Sequence, residues 1–133
     1  MRVISCCCRH IPVVENAVIV NCCILQNPQR EKNMRDLRGT DKSVRDRLES
    51  CPEWVPFIAA VAAAIRDNNP DTVVFFCIGG HHRSVALAEH FGKIIGVSPE
   101  HLCISAPTPL GNAPRRPRTV QEAITVITSS RSP

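Results

Sequence analysis

Aromatic residues are scarce in this sequence: one Trp, four Phe and no Tyr make up 4% of its 133 residues. Many proteins that bind single-stranded nucleic acid stack the bases on aromatic side chains, so this scarcity argues against such a surface. It also predicts a core of aliphatic side chains and cysteine. Long apolar runs are missing too, because no stretch of about 18 apolar residues occurs, which argues against a transmembrane helix.

The sequence also lacks a clear signal peptide and a large net charge. The first ten residues, MRVISCCCRH, contain only a short apolar run that Arg9 and His10 interrupt, which is unlike a signal peptide. We therefore expect a cytoplasmic protein that does not associate with membranes. The net charge of +4 suits an anionic ligand but is too small to indicate nucleic-acid binding by itself.

Cysteine, in contrast, is abundant, with eight residues. Seven of them lie in segments that we predict to be strands, where a free thiol behaves as a small hydrophobic side chain: Cys6, Cys7, Cys8, Cys22, Cys23, Cys77 and Cys103. Adjacent residues of a strand point to opposite faces, which does not suit a zinc site. We expect reduced core thiols, no metal and no cofactor. The alternative is a zinc site formed by Cys6 or Cys8 with Cys22 and His10.

The most informative stretch is TVVFFCIGGHHRSV at residues 72–85. It predicts a buried strand, a tight glycine loop and the first turn of a helix. Free amides and the helix dipole favour an anion at such a terminus, and an arginine can hold an oxyanion with two parallel hydrogen bonds. We therefore predict that a phosphorylated small molecule, or free phosphate or sulfate, is bound by Cys77, Ile78, Gly79, Gly80, His81, His82, Arg83 and Ser84.

The spacing of Cys77 and Arg83 also matches the C-x5-R-S pattern of protein tyrosine phosphatases. In an enzyme of that kind Cys77 would be the catalytic nucleophile, Arg83 would clamp the phosphoryl oxygens, and His82 or Asp41 would act as acid or base. Phe76 stands where those phosphatases usually have His. A buried thiol at the end of a strand is the simpler interpretation, and whether the chain is an enzyme stays open here.

The remaining patterns predict alternating strands and helices. Strands are expected at residues 1–8, 17–25 and 102–105, and helices at residues 41–49 and 52–67 and from Thr119 onward. This order predicts a single α/β domain whose mostly parallel sheet of about four strands is flanked by helices. Residues 1–110 would form the α/β unit, and residues 111–133 a C-terminal helix and a frayed tail of the same domain.

Two polar segments are candidates for completing a site. The long loop at residues 26–40 follows a predicted strand, so it is placed to fold over the edge of the sheet where ligands bind in open α/β folds. Three arginines near the end of the chain carry the weaker prediction of nucleic-acid binding, with a solvated loop as the alternative: Arg115, Arg116 and Arg118.

Three motifs in the same order resemble a known family. Residues 77–85, CIGGHHRSV, resemble the C-T-G-G-x-H-R-S-V signature of the RapZ C-terminal domain. Residues 21–28 are similar to its D-x-R-x-x-x-N-P segment, and residues 35–44 to its R-x-x-T-G-x-D-x-x-V segment. The resemblance covers roughly residues 5–96. The chain departs from these patterns at four positions, which hold Asn21, Cys23, Gln29 and Ile78 in place of Asp, Arg, His and Thr.

The resemblance implies an α/β domain that binds glucosamine-6-phosphate, associates with itself and takes part in binding a small regulatory RNA. It implies a phosphate cradle within residues 77–84 and a loop after Asn27 and Pro28 that reaches the sugar. Candidates for the other ligand contacts are Asn21, Gln29, Arg35 and Asp41.

Overall fold

In the computed structural model of the chain, residues 1–109, 111, 113 and 115–128 are described, and the predicted tail at residues 129–133 lies outside them. The strands are β1 (Arg2–Cys7), β2 (Ala17–Asn21), β3 (Thr72–Cys77), β4 (Glu100–His101) and β5 (Ile124–Ile127). The helices are α1 (Lys42–Glu49), α2 (Trp54–Asn68) and α3 (Arg83–Ile95). Within the described ranges no single helix is long and apolar enough to span a membrane, and α1 and α2 reach such a length only as a pair bent by 96°.

The strands form one sheet in the order β4-β1-β3-β2-β5. β1 and β2 both run parallel to the central β3, with Arg2 and Ala17 each paired with Thr72. β4 is parallel to β1, whereas β5 is antiparallel to β2. The prediction of a single α/β domain with a mostly parallel sheet is therefore confirmed, with five strands where about four were expected.

The two faces of the sheet are covered differently. Side chains of all three helices share one large core with alternate residues of the central strands, among them Val20 and Phe75. The ring of Phe75 stacks on that of Phe91, with the ring centroids 5.5 Å apart. The opposite face carries a smaller cluster of Ile4, Cys6, Cys7, Val74 and Cys103, against which Ile11, Val14 and Ala106 pack from loops. The helices thus cover one face and loops cover the other.

All eight cysteines are free thiols, and seven of them are buried. This confirms that cysteine contributes to the core, although only Cys6, Cys7 and Cys77 lie within strands. The alternative zinc set is not assembled. Cys22 belongs to the core on the helix side, whereas Cys6 belongs to the cluster on the opposite face.

Three predicted elements differ from the structure. β2 ends at Asn21, not at residue 25, because the Asn21 side chain accepts a hydrogen bond from the Cys23 amide at 3.0 Å and starts a 3-10 helix, Cys22–Ile24. The strand expected at residues 102–105 is instead the two-residue β4. The predicted C-terminal helix is wrong, since Ile124–Ile127 forms β5. The run ITVI is β-branched, and the free edge of β2 offers it backbone partners.

A chain of side-chain hydrogen bonds ties β4 to the rest of the domain. Ser5 Oγ lies 2.6 Å from His101 Nδ1, and His101 Nε2 lies 2.7 Å from Glu89 Oε1 of α3. The order of groups is that of a hydrolase triad, but the Ser5 side chain is fully buried and no substrate can reach it. The network is therefore structural.

Replacing His101 with alanine is expected to destabilise the fold. The buried Ser5 hydroxyl would lose its partner, which costs about 1–3 kcal/mol in the free energy of unfolding. Urea unfolding followed by circular dichroism measures this loss. Glu100→Ala is the matched control, because Glu100 pairs with Arg2 in an exposed ion pair worth less than about 1 kcal/mol. Equal small losses in both variants would contradict the structural role of the network.

Candidate functional site

The glycine loop, residues 78–82, joins the end of β3 to the first residue of α3. Because β1, β2 and β3 are parallel, this loop lies at the edge of the sheet where β1 and β2 also end, which is where ligands bind in open α/β folds. Gly80 has φ +71, and a Cβ there would lie 2.8 Å from the backbone nitrogen of Cys7. Only glycine fits this conformation and this close approach.

The segment 26–40 closes over the start of α3, as its position in the sequence predicts. The Gly39 amide donates to the His81 carbonyl at 2.8 Å. Gly39 is packed so closely that a Cβ would overlap the His82 carbonyl oxygen and the Ala86 nitrogen, and would lie 2.8 Å from the Val85 Cβ. The absence of a side chain at Gly39 thus brings this segment into direct backbone contact with the glycine loop.

Between these segments lies a cleft of about 400 Å³. We call it the arginine cleft, because four of its lining residues are Arg30, Arg47, Arg83 and Arg116. The other lining residues are Cys23, Leu25, Gln26, Asn27, Glu31 and Ile78. Four guanidinium groups and one carboxylate give the lining a net charge of +3, which favours an anionic occupant.

Arg83 forms the buried part of the cleft, with only 5% of its surface exposed. One guanidinium nitrogen, Nη1, donates to the Leu25 carbonyl at 3.0 Å. The Nε–H group is also buried, and it has no acceptor among the described residues. A buried donor on a charged group strongly favours an acceptor, so Arg83 keeps unused hydrogen-bonding capacity beside the cleft.

The N-terminus of α3 adds to this preference. His82 is the N-cap residue of α3, and within the described part of the chain no side chain caps this helix. The free amides of an uncapped helix and its dipole favour a negative charge. Arg83, which lines the cleft, is the first residue of this helix.

Two further arginines of the cleft are held by neighbouring groups. Arg47 of α1 forms an ion pair with Glu31 and donates to Gln26 Oε1 at 2.7 Å. Arg116 donates to the Ile24 carbonyl at 2.6 Å. Arg30 is exposed at the mouth of the cleft. Local pairing therefore fixes the positions of Arg47 and Arg116 before any ligand binds.

Of the residues predicted in the glycine loop, Ile78 and Arg83 line the cleft. Cys77 and Ser84 are buried and are not among its lining residues, with the Cys77 Sγ and Ser84 Oγ atoms 3.2 Å apart. His81 Nε2 lies 2.5 Å from the Ala106 carbonyl oxygen. The structure thus separates the predicted set into residues that face the cleft and residues that support the loop.

His82 also supports the loop. Its Nε2 atom lies 3.2 Å from the Met34 carbonyl, which links α3 to the segment 26–40. Burial lowers the pKa of His82, and the nearby His81 lowers it further, while the backbone acceptors of Met34 and Leu37 oppose the shift. These effects favour the neutral form of the His82 imidazole. In Cys23, burial raises the pKa of the thiol and the charge of Arg83 opposes that change.

Of the four residues predicted for secondary ligand contacts, two line a groove beside the cleft and two have local structural roles. Gln29 and Arg35 line a shallow groove that shares Asn27 and Arg30 with the arginine cleft. Asn21, as described above, caps a 3-10 helix. Asp41 accepts a hydrogen bond from the Arg38 amide at 2.6 Å and holds a turn before α1. Asn21 and Asp41 are not among the lining residues of the cleft.

The C-terminal arginines have different surroundings, although Arg116 and Arg118 line one shallow groove together. Arg116 lines the arginine cleft, whereas Arg115 is exposed and the Arg118 amide donates to Glu122 at 2.8 Å. Sequence reasoning missed the contributions of Gln26, Arg30, Arg47 and Arg116 to the cleft. The density of arginine in the segment 26–40 is a signal that could have pointed to Arg30. Arg47 has no such signal, because its spacing is that of any surface residue on a short helix.

Comparisons with known proteins agree with the motifs. The sequence model of the RapZ C-terminal domain matches residues 1–100. A protein of Cereibacter sphaeroides strain ATCC 17025, named a nucleotide-binding protein, is 33% identical over 87 residues, which are 59% of this chain and 29% of that protein. A protein of the same name from Xylella fastidiosa strain M23 is 35% identical over 79 residues, 53% of this chain and 27% of its own length.

A third relative, from Xanthomonas campestris pv. campestris strain B100, also bears the name nucleotide-binding protein and is 33% identical over 79 residues, 53% of this chain and 28% of its own length. This chain therefore spans less than a third of the curated relatives it matches. The family match extends over most of the chain and includes all three motifs identified above. The resemblance is confirmed: the chain belongs to the RapZ C-terminal domain family.

Proposed function

We propose that this chain binds a phosphorylated small molecule in the arginine cleft. The observation that carries the proposal is Arg83, which lines a cleft of net charge +3 and whose buried Nε–H has no acceptor among the described residues. A phosphate group is well suited to a planar guanidinium, because two of its oxygens can accept two parallel hydrogen bonds. The uncapped start of α3 favours the same charge.

The cleft also supports an assignment of ligand size and polarity. Its volume of about 400 Å³ is in the range of small-molecule pockets. The names of the relatives from Cereibacter and Xylella support a phosphorylated metabolite of nucleotide or similar size. We favour an amino-sugar phosphate such as glucosamine-6-phosphate, which the family resemblance implies. Gln26 and Asn27 are suited to hydroxyl groups, and the Glu31 carboxylate, which pairs with Arg47, can accept a further hydrogen bond from the ammonium group of the sugar.

A cysteine-dependent phosphatase has less support. The Cys77 side chain is buried, its sulfur contacts Ser84, and it is not among the residues that line the cleft. A nucleophile must lie within reach of the reacting phosphorus, so the geometry favours binding over catalysis. Binding of RNA by Arg115, Arg116 and Arg118 also has less support, because Arg116 is engaged with the Ile24 carbonyl beside the cleft.

A ligand panel tests the proposal. We expect thermal-shift assays and calorimetry to detect stabilisation by phosphate, glucosamine-6-phosphate or a nucleotide, since a ligand that binds only the folded state raises its stability. Arg30→Ala should weaken the best ligand by about 3- to 10-fold, because an exposed charged contact contributes less than a buried one. Arg66→Ala is the matched control, since Arg66 lies on α2 in an exposed pair with Asp67.

Glucose-6-phosphate tests whether the cleft recognises the amine, because it differs from glucosamine-6-phosphate only in carrying a hydroxyl in its place. Tighter binding of the amino sugar, with a smaller difference in Glu31→Gln, would assign Glu31 to the ammonium group. If no anion stabilises the wild-type chain, or if Arg66→Ala weakens binding as much as Arg30→Ala, the proposal is wrong.

A further inference from the structure

A second group of polar side chains lies on the opposite face of the sheet from the helices. Cys7 ends β1, His10 follows in the next turn, and Cys103 lies shortly after β4. The two sulfur atoms and one imidazole nitrogen all lie within 4.8 Å of one another. We propose that this thiol–imidazole cluster, Cys7, His10 and Cys103, binds a soft divalent metal ion of the zinc class.

The distances within the cluster are close to those of a metal site. The Cys103 Sγ atom lies 3.9 Å from His10 Nδ1, and the Cys7 Sγ atom lies 2.9 Å from the same nitrogen. Tetrahedral zinc with Zn–S of about 2.3 Å and Zn–N of about 2.0 Å separates its ligand atoms by roughly 3.5–3.8 Å. The contact between Cys7 and His10 has to widen and the contact between Cys103 and His10 has to shorten slightly, and the exposed His10 side chain can make both changes.

The backbone holds the cluster together without a metal. The His10 amide donates to the Cys7 carbonyl at 3.1 Å, which closes the turn that brings the imidazole over the end of β1. The Cys7 amide donates to the Cys103 sulfur at 3.3 Å. Hydrogen bonds of this kind orient metal ligands and stabilise a thiolate. Ligands from segments 96 residues apart are thus already in place.

Burial and composition of the cluster select the kind of ion. Cys7 is 2% exposed and Cys103 is 3% exposed, whereas His10 is exposed and leaves one side open for the metal to enter. Two sulfur ligands and one imidazole favour zinc, cobalt or copper over magnesium or calcium, which prefer oxygen. Three protein ligands leave a fourth position at the open side, which water can occupy.

Binding changes protonation but transfers no electrons. The S–H bonds of Cys7 and Cys103 break, each sulfur lone pair binds the metal, and two protons pass to solvent. His10 binds as a neutral imidazole through the Nδ1 lone pair. The two thiolates balance the charge of the divalent ion, so the half-buried site carries no net charge.

The cluster is also adjacent to the glycine loop. A Cβ built on Gly80 would lie 2.8 Å from the Cys103 Cβ, and His81 contacts the carbonyl of Ala106. A metal bound to Cys7 and Cys103 would fasten the segment after β4 to the end of β1 beside this loop. The ion would therefore stabilise this connection, separately from any binding in the arginine cleft.

Titration of the reduced chain with Co²⁺ tests the site, since cobalt reports thiolate ligands by charge-transfer absorption. We expect one Co²⁺ per chain, near-ultraviolet thiolate bands, tetrahedral ligand-field bands and displacement by Zn²⁺. Two protons should be released per ion, and Zn²⁺ should raise the melting temperature. His10→Ala, at an exposed position, should weaken binding at least tenfold with the fold intact. Cys7→Ser and Cys103→Ser should each reduce the thiolate bands.

Cys8→Ser is the matched control, because Cys8 is adjacent in sequence but its sulfur is directed to the Ile78 carbonyl. It should bind cobalt as the wild type does. Absence of thiolate bands in the wild type, or unchanged binding in His10→Ala, would overturn the proposal. If either serine variant fails to fold, the wild-type spectrum and the comparison of His10→Ala with Cys8→Ser still decide it.

Discussion

Replacing Arg83 with alanine is expected to weaken binding of a phosphorylated ligand by about 10- to 150-fold, which corresponds to about 1.5–3 kcal/mol for charged hydrogen bonds. The large effect follows from burial, because Arg83 lines the cleft with only 5% of its surface exposed, so its hydrogen bonds to a ligand would form away from water. Isothermal titration calorimetry with the best ligand of the panel measures the change.

Arg83→Lys separates charge from geometry. An ammonium group keeps the positive charge but lacks the planar fork that can donate to the Leu25 carbonyl and to a phosphate together. We expect it to recover only part of the lost affinity, while Arg66→Ala binds as the wild type does. The melting temperature without ligand is the control for folding. Wild-type affinity in a folded Arg83→Ala variant would show that the anion binds elsewhere.

Replacing Gly39 with alanine is expected to reduce both stability and binding. The added Cβ would overlap the His82 carbonyl oxygen and the Ala86 nitrogen, which are backbone atoms of α3 or its N-cap and cannot rotate away. Overpacking of this kind costs about 1–3 kcal/mol in the free energy of unfolding. The segment 26–40 would also move away from α3, so the affinity for anions should fall with it. Thermal unfolding and calorimetry on the same preparation measure both effects.

Gly96→Ala is the matched control for Gly39→Ala. Gly96 has φ +83 at the C-terminus of α3, and no atom lies within 4 Å of an added Cβ. Alanine there carries only the strain of a left-handed conformation, about 1–2 kcal/mol, and lies far along the helix from the cleft. It should leave affinity unchanged. If Gly39→Ala kept both its stability and its affinity, the prediction would be wrong, because the segment 26–40 would not need this close contact with α3.

Local sequence patterns were sufficient to predict the central strand of the sheet and the loop and helix that follow it. The strand, glycine loop and helix around residues 72–96 were predicted from a β-branched run, two glycines and a change of period, and all three elements form. The last element was not predictable in this way. The spacing of Val120, Ala123, Ile124 and Ile127 fits a helix, but the unpaired edge of β2 decides in favour of a strand, and that edge is more than 100 residues away in sequence.

The residues of the candidate site also differ in whether a local sequence pattern could predict them. Arg83 was predicted because a single local motif fixes its place at the start of α3. Arg47 and Arg116 reach the same cleft from α1 and from the segment before β5, so no spacing in the sequence relates them to Arg83. The histidines illustrate the reverse case: their place in the motif was informative, but their side chains contact the carbonyls of Met34 and Ala106.

The pairing of the strands has a consequence for how quickly the chain folds. Arg2 pairs with Thr72 and Ile4 with Glu100, so the partners are 70 and 96 residues apart. Ala17 pairs with Thr72 and with Ile127, at separations of 55 and 110 residues. Every strand contact among the described residues is therefore non-local, and a long loop must close before any pair of strands forms. High contact order of this kind slows folding, so helices α2 and α3 are expected to acquire structure before the sheet that they cover.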